Sequence, residues 1–192
     1  MSPRAGLDTI TIIMAAAQIA DERGIEEVTL AALAAKLGVR SPSLYNHING
    51  LQSLRTQLAI YGIEQLYKVM SAAAEGITGA EAVHAMGLSY VNFARNHPGL
   101  YETTLRAPEG GNPELENVSE KILALIIQVL QVYDLQEQGT IHAVRGLRSI
   151  LHGFASLEHK GGFGMPIDSN ISLSRLMDTF IAGIGKMKAE GN

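Results

Sequence analysis

The chain has 192 residues, 46% of them apolar, and a formal net charge of −4. That apolar content is enough to bury a sizeable core and excludes an intrinsically disordered chain. With no cysteine, disulfide frameworks, thiolate zinc sites and cysteine nucleophiles are excluded together.

Helical spacing predicts an all-α chain of about nine helices, and no strand pattern competes with it. Asp8 is a capping residue ahead of Ile10, Ile13, Met14, Ala17 and Ala20, which recur at helical spacing. Gly24 stops that helix behind Arg23. Thr29 caps a second, short helix whose apolar face is Leu30, Leu33, Ala34 and Leu37, and Gly38 ends it. A third short helix runs to about His47, capped by Ser41 or Arg40, with Pro42 in its first turn. Asn49-Gly50 breaks the chain, and a long helix follows from near Leu51 to about Glu75. Beyond Gly76–Gly79 come Ala80–Asn96, a short piece from Pro98, a flexible loop at Ala107–Pro113 and helices near Glu114–Tyr133 and Glu137–His159. A glycine-rich loop at Lys160–Ser169 then leads to a last helix, Leu173–Lys188.

No segment suits a membrane. The longest apolar stretch, Ile10 to Ala20, is broken by Thr11 and Gln18 and is too short to span. Asp8, Thr9 and Thr11 sit where the apolar region of a signal peptide should be cleanest. The expectation is a soluble, cytoplasmic protein.

The segment Thr29 to Ile48 is a capped short helix, a tight turn at Gly38-Val39 and a second capped short helix, the pattern of a helix-turn-helix. Ala34, Leu37, Val39 and Leu44 can pack the two helices together. The second helix keeps Ser43, Tyr45, Asn46 and His47 for its outer side. In this motif the second helix enters the DNA major groove, where Asn can pair with adenine and Ser or His can bond base edges or phosphates. Tyr45 could equally pack against the first helix. The charge distribution agrees with a nucleic-acid partner: Val28 to Ile63 contains Lys36, Arg40, Arg55 and His47 and no acid, with Asp21, Glu22, Glu26 and Glu27 before it and Glu64 after it.

The run VTLAALAAKLGVRSPSLYNHINGLQSL resembles the DNA-binding segment of the tetracycline-repressor (TetR) family. Thr29, Leu33-Ala34, Gly38-Val39, Leu44-Tyr45 and His47-Ile48 occupy the family's pattern, and the resemblance covers about Ile10–Leu58. It implies double-stranded DNA as partner. Tyr45, His47 and the helix start at Thr29 would contact phosphates, and Arg40, Ser41, Ser43 and Asn46 would face bases or nearby backbone. Arg4 would reach DNA from the N-terminal arm. Two positions depart from the family pattern. Leu51 stands where a phosphate-binding lysine is common, which leaves Gln52 or Arg55 to substitute, and Ile48 stands where Phe is common.

The remainder resembles a TetR subgroup with a His-Gly pair, here His152-Gly153, in the penultimate helix; HPGLYETTL from His97 matches the family's short helix. The resemblance implies residues 1–50 as the DNA-binding domain and 51–192 as the ligand-binding and dimerisation domain. It implies a homodimer through the last two helices, with Leu147, Leu151, Phe154, Leu173, Leu176, Met177, Phe180 and Ile184 at the interface. Gly153, Gly183 and Gly185 could mark close helix approach; packing within one subunit would also account for these stripes. It implies as well a small-molecule effector in a pocket for which Tyr67, Met70, Met86, Tyr90 and Phe93 are candidate lining. Plain core would use the same side chains.

Catalysis has little to stand on. None of the six histidines forms an H-E-x-x-H pair, and there is no nucleophile elbow or phosphate loop. His152 and His159 share a helix face, with Glu158 the nearest further metal ligand. The expectation is a one-component transcription regulator, most simply a repressor, and no enzyme, cofactor or metal site. Two alternatives remain. One is a helical small-molecule-binding protein or enzyme with a vestigial DNA motif; the other is a DNA-binding scaffold with no effector.

Overall fold

The computed structural model describes residues 7–105 and 112–189, the last three as backbone only. Arg4 and residues 107–111 of the expected loop lie outside the described residues. Among the described residues there are nine α-helices and no strand. In chain order they are α1 (Thr9–Arg23), α2 (Leu30–Leu37), α3 (Ser41–Leu44), α4 (Gly50–Ala74), α5 (Gly79–Asn96), α6 (Pro98–Thr103), α7 (Pro113–Leu130), α8 (Glu137–His159) and α9 (Ser169–Ala189). Single 3-10 turns at Ile25–Glu27 and Gln131–Tyr133 precede α2 and follow α7.

The chain forms two compact units. The first holds α1 to α3, α4 as far as residue 64, and α6; the second holds the rest of α4, α5, α7 from residue 117, α8 and α9. In the first unit Ile12, Ile19, Leu33, Leu44, Leu54 and Leu58 are fully buried. The sequence sets these helix ends locally. The Asp8 carboxylate accepts from Thr11 N at 2.8 Å, and the Thr29 hydroxyl accepts from Ala32 N at 3.1 Å.

Helix α2 ends in a Schellman motif. Gly38 takes a left-handed conformation at φ 65°, its N–H bonding Ala35 O at 3.2 Å while Val39 N–H bonds Ala34 O at 3.0 Å. A Cβ at Gly38 would meet no atom within 4 Å, so the cost of adding one is conformational alone. Gly38→Ala is therefore expected to lower stability by about 1–2 kcal/mol, read from a denaturant midpoint. An unchanged midpoint would show that this turn does not need a left-handed residue.

Helix α6 is held against α1 and α4 by two glycines. Gly99 lies directly on the Ala20–Asp21 backbone of α1. A Cβ on Gly62 of α4 would stand 2.9 Å from the Thr103 hydroxyl and 3.1 Å from Leu100 O. Asp21 completes the joint: it accepts from Leu100 N at 2.8 Å and bonds His97 Nδ1 at 2.9 Å.

In the second unit Met70, Met86, Leu130, Leu147, Leu151 and Leu173 fill the core. Helix α9 crosses α5 at Gly87, which sits under the Met177 sulfur, and the two helices are also joined by His84 Nε2 to Asp178 Oδ1 at 2.8 Å. Arg95 of α5 pairs with Glu158 of α8 and reaches Ser169 and Asn170 at the start of α9. Phe163, in the glycine-rich connection, tilts against Phe154 with ring centres 4.9 Å apart.

Candidate DNA-binding surface

Helices α2 and α3 pack through Leu33, Ala34 and Leu44, all buried, with Leu37 and Val39 half-buried beside them. Arg40, not Ser41, is the residue before the first turn of α3, and it caps without its side chain. The helix is shorter than its sequence suggests. It ends at Leu44, whose carbonyl accepts both His47 N at 2.9 Å and Ile48 N at 3.0 Å, so Tyr45 to His47 form a turn. Burial of Leu44 and Ile48 anchors that turn from beneath.

The expected contact residues fall on the outer side of this anchor. Thr29, Arg40, Asn46 and Tyr45 are exposed, Tyr45 at 58%. Ser41, Ser43 and His47 are half-buried. An exposed aromatic ring on a turn held by two buried aliphatic side chains does not serve the core, which argues against Tyr45 as a packing residue for α1. The Thr29 hydroxyl is engaged by Ala32 N, so its structural role is the cap that fixes the start of α2. His47 stands near the Asp8 carboxylate. Hydrogen bonds from Thr11 lower the Asp8 carboxyl below its ordinary value, and His47 adds a weaker pull in the same direction.

The basic character of the segment is smaller than its sequence implies. Lys36 Nζ lies 3.5 Å from Glu22, and Arg55 Nη2 lies 3.3 Å from Glu26. Arg40 alone of the three makes no ion pair among the described residues. The flanking acids are visible in the sequence, but their pairing is not, because it depends on how α1 and the turn before α2 fold back. Of the two residues considered as substitutes for a lysine at Leu51, Gln52 is exposed and Arg55 is held by Glu26.

Elsewhere, Met70, Met86, Tyr90 and Phe93 are buried and Tyr67 is half-buried. The second unit has a cleft of about 890 Å³ between the α4–α5 turn and the end of α7, lined by residues including Ala74, Glu75, Ile77, Leu125, Val129 and Val132; none of those five lines it. Leu147, Leu151, Phe154, Leu173, Met177 and Ile184 are buried within the single chain, whereas Leu176 is exposed and Phe180 half-buried. The carboxylate of Glu158 is taken by Arg95. Among the described residues no helix is long and apolar enough to cross a membrane.

Comparison with known proteins places this geometry. Residues 12–48 match the family model of bacterial regulatory proteins, tetR family, and residues 83–180 match that of the tetracyclin repressor-like C-terminal domain. The chain is 43% identical over 185 residues to the uncharacterised HTH-type transcriptional regulator YobS of Bacillus subtilis (strain 168), covering 96% of each chain. Its fold is similar to that of a protein of unknown function from Rhodococcus sp. RHA1, with a TM-score of 0.80 at 20% identity over 95% of this chain and 98% of that one. It is also similar to a TetR variant from Acinetobacter baumannii AYE in complex with minocycline, with a TM-score of 0.71 at 19% identity over 95% and 99% of the two chains. The two family models between them cover a helix-turn-helix segment and a C-terminal domain, the relative at 43% identity is an HTH-type regulator, and the chain belongs to the TetR family of transcriptional regulators, not to an enzyme family.

Proposed function

We propose that this chain is a cytoplasmic repressor that binds a palindromic operator as a homodimer and releases it when a small molecule binds. The observation that carries the DNA-binding part is the outer side of Arg40–His47, where Tyr45 and Asn46 are exposed over the buried Leu44 and Ile48. Residues 1–50 supply DNA contact: Tyr45, His47 and the α2 start at Thr29 meet phosphates, while Arg40, Ser41, Ser43 and Asn46 face bases or adjacent backbone. Residues 51–192 supply ligand binding and dimerisation, and α4 joins the two functions in one helix.

For the dimer, the support is the outer side of α8 and α9. Leu157 and Leu176 are exposed there, and a Cβ on Gly153, Gly183 or Gly185 would meet nothing within 4 Å of its own chain. Such glycines leave room for a second subunit. Leu176 and Phe180 would cross the interface directly, with Leu147, Leu151, Phe154, Leu173, Met177 and Ile184 as the packed layer behind them. For the effector, Tyr67, Met70, Met86, Tyr90 and Phe93 remain the proposed lining of an interior pocket; the open cleft beside Glu75 is a second space of ligand size. The minocycline complex of a protein with this fold supports a small-molecule effector.

Fluorescence anisotropy on the duplex upstream of the chain's own gene tests the DNA reading. Tyr45→Phe removes one uncharged phosphate donor and is expected to weaken binding by about 1.5–3 kcal/mol on any sequence, with the log–log salt slope unchanged because no cation is lost. Asn46→Ala is expected to cost about 1–3 kcal/mol on the operator and nothing on a random duplex. Equal losses on both duplexes for Asn46→Ala would remove it from base reading.

A further inference from the structure

Arg55 lies in the second turn of α4 and reaches back to Glu26, in the turn that leads into the α2 cap at Thr29. Nη2 and Oε2 are 3.3 Å apart, with Arg55 36% and Glu26 80% exposed. The pair therefore joins the two elements on either side of the recognition segment. It also neutralises one of the three cations in the acid-free stretch from Val28 to Ile63.

We infer that Glu26 sets the strength of DNA binding by holding the Arg55 guanidinium out of the phosphate attraction. The inference rests on the DNA-binding reading above. Each cation that neutralises a phosphate releases counterions, contributing affinity that is independent of sequence and lost as salt rises. A carboxylate that occupies the cation removes that contribution from operator and random DNA alike. Glu26 thus scales affinity without choosing the sequence. Such a restraint has a use in a ligand-released regulator. Coupling between an effector and DNA typically changes affinity about 5–150-fold, so an operator complex tightened by further phosphate contacts would outrun what one ligand can release. The exposure of Glu26 makes its replacement a charge change with little packing consequence.

The test compares the full chain with Glu26→Gln, Arg55→Gln and the double variant, each checked by circular dichroism. Binding is read by anisotropy on the upstream duplex and on a random duplex between about 50 and 200 mM salt. Glu26→Gln is expected to steepen the log–log slope by about 0.9 on both duplexes, with an affinity gain that shrinks about 3.5-fold across that range. Discrimination between the duplexes stays constant. Arg55→Gln alone is expected to leave the wild-type slope unchanged, and the double variant to behave like Arg55→Gln. The inference is overturned by an unchanged slope in Glu26→Gln, by a gain that persists in the double variant, or by a flatter slope in Arg55→Gln alone. The second result would assign the effect to the charge of Glu26 itself; the third would place Arg55 on phosphate already. A wild-type chain that binds neither duplex at the lowest salt overturns the DNA-binding reading, and this inference with it.

Discussion

Gly99→Ala is expected to destabilise the chain by about 3 kcal/mol, the upper end of what overpacking a well-filled site costs. The new Cβ would fall on the carbonyl carbon and oxygen of Ala20 and close to Asp21 N. These are backbone atoms in the last turn of α1, so no side-chain rotation relieves the clash. The alternative is for α6 to lift away from α1. That would break the bond from Leu100 N to Asp21 Oδ1 at 2.8 Å and the contact of His97 Nδ1 with Asp21 Oδ2 at 2.9 Å, and it would uncover Leu100 and Tyr101, both buried. For a chain of this size the loss corresponds to a fall in Tm of about 6–12 °C. Calorimetry on the variant measures it, with Gly62→Ala as a graded control, since the nearest atom a Cβ would meet there is the Thr103 hydroxyl. A variant with the wild-type Tm would mean that α6 is not seated on α1 as the structure has it.

That joint is not legible in the sequence, because it brings together residues far apart in the chain. What the sequence made legible is what depends on neighbours in the chain. Asp8 and Thr29 cap because their side chains reach N–H groups three residues on, and Gly38 ends α2 because a left-handed turn is needed there. The span Glu137–His159 and the limits of α4, within one residue, follow from periodicity and break signals in the same way. Asp21, Arg95 and Glu26 were legible only as charges. Their roles depend on Leu100, Glu158 and Arg55, which are 79, 63 and 29 residues away. Helix α3 shows a local failure. Its sequence continues plausibly through His47, but the Leu44 carbonyl is shared by two N–H groups and the helix becomes a turn. The charge segment shows the same limit on a larger scale. Three cations without an acid between them read as a phosphate-facing patch, yet two are answered by acids just outside it.

Arg95 carries the second large expectation. Its Nε and Nη2 bond the two oxygens of Glu158 at 2.6 and 2.8 Å, its Nη1 bonds Asn92 and Asn170 at 2.8 and 2.9 Å, and Nη2 also lies 3.3 Å from the Ser169 hydroxyl. One planar guanidinium thus ties α5 to α8 and to the start of α9, and its two-pronged geometry suits a carboxylate better than lysine would. Arg95→Met would leave the Glu158 carboxylate without its cation at a site where the two side chains are only 27% and 21% exposed. Breaking a fully buried pair from one side costs about 3–5 kcal/mol, and the partial exposure here brings the expectation to about 2–3 kcal/mol. Glu158→Gln is expected to cost less, because an amide oxygen still accepts from Arg95. It also carries a pH signature. The hydrogen bond from Arg95 holds the Glu158 carboxyl below its ordinary value of 4.5, against the opposing effect of burial, and Ser169 adds to the lowering. A lowered folded-state value means that the stabilisation is complete above 4.5 and disappears as pH falls through that lowered value. Arg95, shifted upward by the same carboxylate, stays charged throughout and contributes no opposing change. The difference in stability between wild type and Glu158→Gln should therefore be flat near neutrality and shrink in acid. Other carboxylates with lowered values, such as Asp8, are common to both proteins and cancel in the difference. A difference that stays constant into acid would mean that Glu158 acts there by shape and not by charge.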